Sequence, residues 1–588
     1  MLGLLILTCG WSQQYTISTY AGTGSGGSTG DGGAASQAEL NLPLGIAFDS
    51  SGNMYIADSL NYLVRKISGG VISTVAGDGT PGFISETVSS KAAATSAELL
   101  GPSGVAVDSA GDIYIADSSN HVVWEVVEGT TATALGISAG DIVQIAGTNT
   151  GGYSGDGGLA GLAELDYPTG VAVDSSNNVY IADSQNNVIR EITATDGIIN
   201  TIVGGGATVQ PLNDPESVLV DSLGNLYISE QSGYRISKYS NGVLSTIAGN
   251  GEIGYSGDGG PGVDAELDEP TAIALDAQGY LYICDTDNNF IRKVSPEGII
   301  TTIAGTTVNG LPDAGFYGDG GYATKALLNF PHGVAVDSAG NVYVSDTVNN
   351  RIRELKPVAP AVAGGGVVNA ASFELPVSPG GLATVFGSNF TGDGQSAIAA
   401  SLPLASSLGG ISVQVNGVSA PVLYESSGQI NFQIPWETKA GTATLKVSNN
   451  GVASSQVNIT VLADGPGIFV SGSHAIAQNS DFSLNSSGNP AKAGGTIIAY
   501  LTDAGAVSNQ PADGAPAGSS PLSQVTAAVA ATIGGQDATI SFAGLAPGFV
   551  GLWQFNIVVP SGVTAGDLPL VVTVGGQKSN SANVSVTP

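Results

Sequence analysis

Residues 165–192 read LDYPTGVAVDSSNNVYIADSQNNVIREI, and the chain writes this stretch six times, with further copies beginning near Leu42, Leu99, Leu212, Leu267 and Leu328. A fixed internal repeat decides the fold before local propensity does. Each copy opens on a proline and runs into a short strand ending in Asp, such as GVAVD at 170–174. A tight turn of Asp, Ser, Asn and Gly follows, the residues such turns need. A second strand (VYIAD), an Asn-rich turn and a third strand (VIREI) complete the copy, with the alternation and β-branched content of strands. Between copies lies a fourth strand: STVAG ending at Gly77, VQIAG at Gly147, NTIVG at Gly204, STIAG at Gly249 and TTIAG at Gly305. Four antiparallel strands repeated radially predict a β-propeller.

The ends of the repeat set the closure. The sixth copy finishes at Leu355 with no fourth strand after it, and an orphan fourth strand, YTISTYAG, precedes the first copy at 15–22. The N-terminal strand is therefore expected to complete blade six, with residues 16–21 antiparallel to residues 350–355. Middle positions of the first strands are small (Ala47, Ala106, Ala172, Ala274, Ala335, with Leu219 the exception), as befits crowding towards an axis. The opening prolines are spaced 59, 66, 47, 55 and 61 residues apart, and the variation falls in connecting loops.

Composition agrees with an all-β chain. The 588 residues include 86 glycines without a collagen period, and 42% of residues are hydrophobic. Net charge is −33, with −27 of it in residues 1–364. Such a chain repels phosphate backbones and anionic lipid, which argues against nucleic acid as a partner. With Cys9 and Cys284 alone, neither a disulfide framework nor a cysteine metal site is expected, and Cys284 reads as a small buried thiol. No stretch approaches 20 apolar residues, so no membrane span is expected. Residues 1–12 (MLGLLILTCGWS) resemble a signal peptide lacking its basic start. A lipobox ending at Cys9, poorly matched by Thr8, and a plain apolar tail are the rival readings.

The copies resemble NHL repeats of the bacterial and teneurin-like kind, through the PxGVAVD core, the GNVYIAD and NNxIRxI strands and loops such as YSGDGGPGVDAEL at 255–267. The resemblance covers about residues 14–356 and implies a six-bladed propeller. It also implies mixed function, since many members are interaction modules and some relatives are metal-dependent lyases or esterase-like enzymes.

After PVAPAVAGGG (357–366), which reads as a linker, the pattern becomes two similar all-β halves of about seven short strands each, expected as immunoglobulin-like sandwiches over 367–465 and 466–588. VVNAASF, GQINFQIPW, PGIF and GLWQFNIVVP resemble the C-terminal domain of many secreted acidobacterial proteins, itself similar to IPT/TIG sandwiches. That implies a secreted or cell-surface bacterial setting. Trp436 and Trp553, beside matching strand-end prolines, are expected in cores rather than as sugar-stacking platforms.

Twelve acids fall in two repeat columns, Asp49/Asp108/Asp174/Asp221/Asp276/Asp337 and Asp58/Asp117/Asp183/Glu230/Asp285/Asp346. Residues present in every blade are expected to hold turns, because a catalytic centre breaks symmetry. The GDGG loops at Asp31, Asp156, Asp258 and Asp319 are expected to start helical turns, with a weak cation site or partner-binding rim as the alternative. Asp285–Asn289 opens like a calcium loop but has Phe290 where glycine is needed and Pro296 where glutamate is needed. Matches to GxGxxG at 22–27 and GxSxG at 26–30 lack the strand–turn–helix context that would give them meaning.

One ring of positions breaks the symmetry. The residue after each opening proline is Leu44, Ser103, Thr169, Glu216, Thr271 and His332 in turn, expected near one mouth of the axial channel. The polar five are the candidate ligand-binding residues. Glu216 and His332 are the candidate catalytic pair, though zinc wants three or four ligands. The reading is a monomeric, non-enzymatic extracytoplasmic binding protein for a protein or polysaccharide, with no cofactor. The alternatives are a metal-assisted lyase or hydrolase in the channel, and a structural cell-envelope component.

Overall fold

The computed structural model describes residues 14–83, 92–128, 138–205, 211–391 and 396–588. The apolar N-terminal segment 1–12, including Cys9, lies outside the described residues. The chain forms two compact units, 14–357 and 358–588.

Among the described residues, the first unit has six antiparallel sheets in a ring. Blade 1 runs Pro43–Phe48, Met54–Asp58, Leu63–Ser68 and Val71–Ala76 from the axis outward. Blade 4 runs Pro215–Val220, Leu226–Glu230, Arg235–Ser240 and Val243–Ala248. In blade 6 the outer strand is Tyr15–Ala21, paired antiparallel with Arg351–Pro357. The register is Ile17 opposite Leu355 and Thr16 opposite Lys356, one step beyond the expected alignment, because Lys356 and Pro357 extend the third strand instead of leaving it. Blades 2 and 3 gain a fifth, two-residue strand at Ala92–Ala93 and Gly158–Leu159, contributed by the incoming connection.

Why the repeat keeps its residues is visible blade by blade. Asp49 Oδ1 accepts the backbone N–H groups of Ser51 (2.9 Å) and Asn53 (2.8 Å), closing the first turn. Asp58 is fully buried and accepts the Asn41 N–H at 2.7 Å and the Asn61 side chain at 2.7 Å. The glycine ending each outer strand cannot vary: Gly77 has φ +89°, and a Cβ there would run into the Tyr62 carbonyl.

Hydroxyls suture the blades. Ser118 Oγ donates to the Pro168 carbonyl (2.7 Å), Ser184 Oγ to Pro215 (2.6 Å), Thr286 Oγ1 to Pro331 (2.9 Å) and Thr347 Oγ1 to Pro43 (2.7 Å). Buried acceptors at the blade junctions are thus satisfied from the next blade. The last of these bonds joins blade 6 to blade 1. Along the axis the inner strands line a cavity of about 350 Å³, walled by the four-residue stretches 45–48, 104–107, 170–173, 217–220, 272–275 and 333–336.

The second unit holds two sandwiches with separate cores, one around Val385, Val413, Phe432 and Leu445, the other around Ile497, Trp553, Phe555 and Val572. The first strand, residues 361–369, begins inside the stretch 357–366 read as a linker, with the glycines absorbed in a register shift between Val362 and Val367. The sandwiches are stitched together. Leu382 N–H bonds Thr502 Oγ1 (2.7 Å), while Asp503, wholly buried, accepts Ser378 N–H (3.0 Å) and Asn369 Nδ2 (2.7 Å). Trp553 is fully buried, and Trp436 packs from the first sandwich onto the core of the second, the two rings 6.1 Å apart.

Candidate functional site

Every inner strand begins at one face of the ring, and the residue before its proline is forced into a left-handed turn. Leu42, Tyr167, Asp214, Glu269 and Phe330 have φ between +46° and +57°. Bulky residues rarely adopt this conformation, and each costs of order 1–3 kcal/mol unless its surroundings hold it. The neighbouring blade does so for four of the five, Glu269 excepted, since blade 4 has Tyr234 at the clamping position. Leu42, Asp214 and Phe330 donate their N–H groups to Asn350, Asn187 and Asn289 Oδ1 at 2.7–2.8 Å. In blade 2 His121 replaces that asparagine, and its Nδ1 accepts the Tyr167 N–H at 3.0 Å. The Asn-rich turn of the repeat is thus a clamp that presents a ring of side chains around the mouth.

That ring is divided. Blades 4 and 5 contribute Asp214, Glu216, Asp268, Glu269 and Asp287. Among the described residues none of the five is ion-paired with a lysine, arginine or histidine. Burial, then the charges of Asp214 and Glu269, push the Glu216 carboxyl up to about 7. Burial, then Asp287 and Asp268, raise Glu269, and burial with Asp287 raises Asp268. Blades 6 and 1 are apolar there, with Phe330 39%, Val348 48% and Leu60 46% exposed. Burial holds the His332 imidazole down at about 4, so it is neutral at pH 7.

Of the candidate ligand-binding residues, Glu216 and His332 stand on this ring, two blades apart with Thr271 of blade 5 between them, and no hydrogen bond joins them. The three hydroxyls belong to the sutures instead. Ser103 Oγ donates to the Thr169 carbonyl, Thr169 Oγ1 to the Glu216 carbonyl and Thr271 Oγ1 to the His332 carbonyl, all at 2.9 Å. Thr169 and Thr271 are also buried, which leaves them little surface for a ligand. Among the described residues no three His, Cys, Asp or Glu side chains converge as a metal would require. Sequence reading missed Asp214, Asp268, Glu269 and Asp287. A column-by-column comparison at the residue before the proline, where the copies disagree, exposes Asp214 and Glu269.

The GDGG aspartates face a different cation. Asp31 meets Arg65 at 2.5 Å, Asp156 meets Arg190 at 2.8 Å, Asp258 meets Arg292 at 3.0 Å and Asp319 meets Arg353 at 2.5 Å. Each arginine is fully buried and also pairs with the second-column acid of its blade, as Arg292 does with Asp285 at 3.0 Å. Blades 2 and 4 lack both the GDGG loop and the arginine, carrying Trp124 and Ser237 there. Single 3₁₀ turns do follow the loops, for example Ala35–Gln37, but they have no side-chain cap, so the expected capping role of the aspartates is replaced by ion pairing.

Comparison with known proteins agrees with this architecture. Residues 99–125 and 328–355 match the NHL repeat family, 148–211 and 251–314 the teneurin NHL domain, and 367–461 the IPT/TIG domain. The chain carries NHL repeats followed by an IPT/TIG domain. Teneurin-4 of Mus musculus is 27% identical over 361 residues, covering 56% of this chain and 12% of the teneurin. NHL repeat-containing protein 2 of Homo sapiens is 24% identical over 338 residues, covering 55% of this chain and 40% of that protein. The chain therefore spans well under two thirds of these relatives. An auxiliary nutrient binding protein from Bacteroides thetaiotaomicron aligns with TM-score 0.43 and 16% identity over 58% of this chain and 76% of that one. Among the described residues of the NHL propeller and the sandwiches, no helix is long and apolar enough to cross a membrane.

Proposed function

We propose that the NHL propeller is the recognition part of an extracytoplasmic binding protein, with the mouth ring as its contact surface and a protein or polysaccharide as ligand. The observation that supports this most is the division of the ring into an acidic sector without counter-ions and an exposed apolar sector. Like charges held together raise one another's pKa, and a cationic partner relieves that repulsion. The best-fitting ligand presents basic groups beside an apolar one. The IPT/TIG sandwich and its neighbour serve as a spacer or attachment module, and the net charge disfavours nucleic acid.

Affinity capture of extracellular proteins and polysaccharides on the intact chain tests this reading. Capture should fall when Asp214, Glu269 and Asp287 are changed together to amides, and again in Phe330→Ala. Capture unchanged by both variants would remove the mouth from consideration. The enzymatic alternative has one supporting observation, the Glu216 carboxyl held near neutrality in the mouth ring. It requires turnover of an ester, lactone or lyase substrate that disappears in both Glu216→Gln and His332→Ala.

A further inference from the structure

A sheet edge with unpaired N–H and C=O groups invites another strand, and natural sheets cover such edges. Five blades of this propeller do so with their own incoming connection. In blade 1, Ile72 N–H bonds the Gly33 carbonyl (3.1 Å) and the Ile72 carbonyl accepts Gly32 N–H (2.8 Å). Ile300 in blade 5 bonds Gly260 and Gly259 in the same way, and Ile17 in blade 6 bonds Gly321 and Gly320. In blades 2 and 3 the two-residue strands pair with Ile142 and Ile199. All five isoleucines are at most 2% exposed.

Blade 4 is different. The connection entering it, residues 205–214, is half the length of the one entering blade 1, residues 23–42. The corresponding residue is Leu244, paired with Tyr239 in the register that pairs Ile72 with Ile67. Equal register turns the Leu244 N–H and C=O outward, and among the described residues neither has a partner beyond its own sheet. Leu244 is partly exposed and Val243 is 64% exposed. The next outward N–H, on Thr246, is also without a partner there. Its equivalents Thr74 and Thr19 donate to Asp31 and Asp319 Oδ2 at 3.0 and 3.2 Å.

We propose that the outer edge of blade 4, Val243–Ala248, takes an extended glycine-rich segment bearing an aspartate from a partner protein, added antiparallel as a fifth strand. Blades 1 and 6 show what fits: two glycines opposite the central isoleucine, and a carboxylate reaching the N–H two residues on, where it also meets a buried arginine whose place in blade 4 is taken by Ser237. The two outer strands of blade 4 carry no acid that would repel an incoming carboxylate; their cations are Arg235, paired with Glu230 at 2.8 Å, and Lys238, bonded to the Tyr227 hydroxyl at 2.8 Å. Main-chain bonds supply affinity in such strand addition, and the carboxylate supplies selectivity. This site lies at the rim of the ring, away from the mouth, so the two assignments stand or fall separately.

The test uses the full chain and a labelled peptide copying residues 28–37, STGDGGAASQ. Fluorescence anisotropy should show saturable binding, and hydrogen exchange should slow across residues 243–248. Leu244→Pro removes an outward N–H without breaking an inner ladder bond, as proline at sheet edges allows. It should weaken binding by about tenfold or more, the effect of one or two lost backbone hydrogen bonds. Thr246→Pro serves as the second variant should the first fail to fold, and a peptide with Asn in place of its Asp should bind more weakly. No saturable binding, or binding unaffected in the folded variants, overturns the proposal. Concentration-dependent dimers abolished by either proline would overturn it in favour of a second copy at the edge.

Discussion

Asp285 and Asp258 hold the same guanidinium at different depths. Asp285 and Arg292 are both fully buried, whereas the Asp258 side chain is 49% exposed. Asp285 also accepts the Asp268 N–H at 2.7 Å and the Asn288 side chain at 2.9 Å, so Asp285→Ala unpairs buried donors as well as the inner side of Arg292 and should cost about 3–5 kcal/mol in urea unfolding. Asp258→Ala leaves Arg292 one carboxylate and should cost about 1–2 kcal/mol. Glu216 gives a pH signature. Its folded carboxyl keeps its proton to about 7 while the unfolded one ionises near 4.3. Its contribution to stability is therefore largest at low pH and falls as pH rises towards 7, then stays level. Melting temperatures of Glu216→Gln should gain on those of the unaltered chain between pH 5 and about 7. A constant difference across that window would contradict the assignment.

At the scale of elements, the closure of the ring carries the clearest consequence. Deleting residues 1–21 bares Arg351–Pro357 as an edge and opens the Tyr15–Ala21 pairing. The propeller transition in calorimetry should move down and the protein should self-associate, while the transition of unit 358–588 stays in place. The closure was legible in the sequence because a strand missing at one end matched an orphan at the other. The turn-holding role of Asp49 and its column was legible for a similar reason, since six identical positions rarely share one chemistry. What escaped were partners distant in sequence. Nothing local to GDGG says that its aspartate meets an arginine 34 residues on. The coincidence of GDGG with a third-strand arginine (VR in blade 1, IR in blades 3, 5 and 6), and the loss of both in blades 2 and 4, was the available signal. From their place after the proline, Ser103, Thr169 and Thr271 are expected near one mouth of the channel. A small hydroxyl at a crowded junction reaches the next blade's carbonyl before it reaches solvent.

At the scale of the molecule, the second unit is one body rather than two beads. Trp436 leaves its own sandwich to cover the core of the next, so Trp436→Ala should destabilise the second sandwich by about 2–3 kcal/mol through lost packing. Proteolysis under partial denaturation would reveal it as earlier cleavage within residues 467–588. Net charge of −33 makes association with a basic ligand long-ranged. Capture at the mouth should weaken between 50 mM and 500 mM salt, as screening shortens the reach of the acidic sector. Binding at the blade 4 edge, carried by backbone groups, should respond much less.

The bond between Thr16 and Lys356 spans 340 positions of sequence. During synthesis the first strand emerges from the ribosome with no place to go, and five blades can assemble before its partner exists. Loop-closure entropy must then be met in a single late event. Refolding should accordingly show a slow final phase that reports on the Tyr15 environment. A permuted chain that begins at Pro43 and appends residues 14–42 after Pro357 turns that late, distant encounter into a neighbouring one, and should lose the phase.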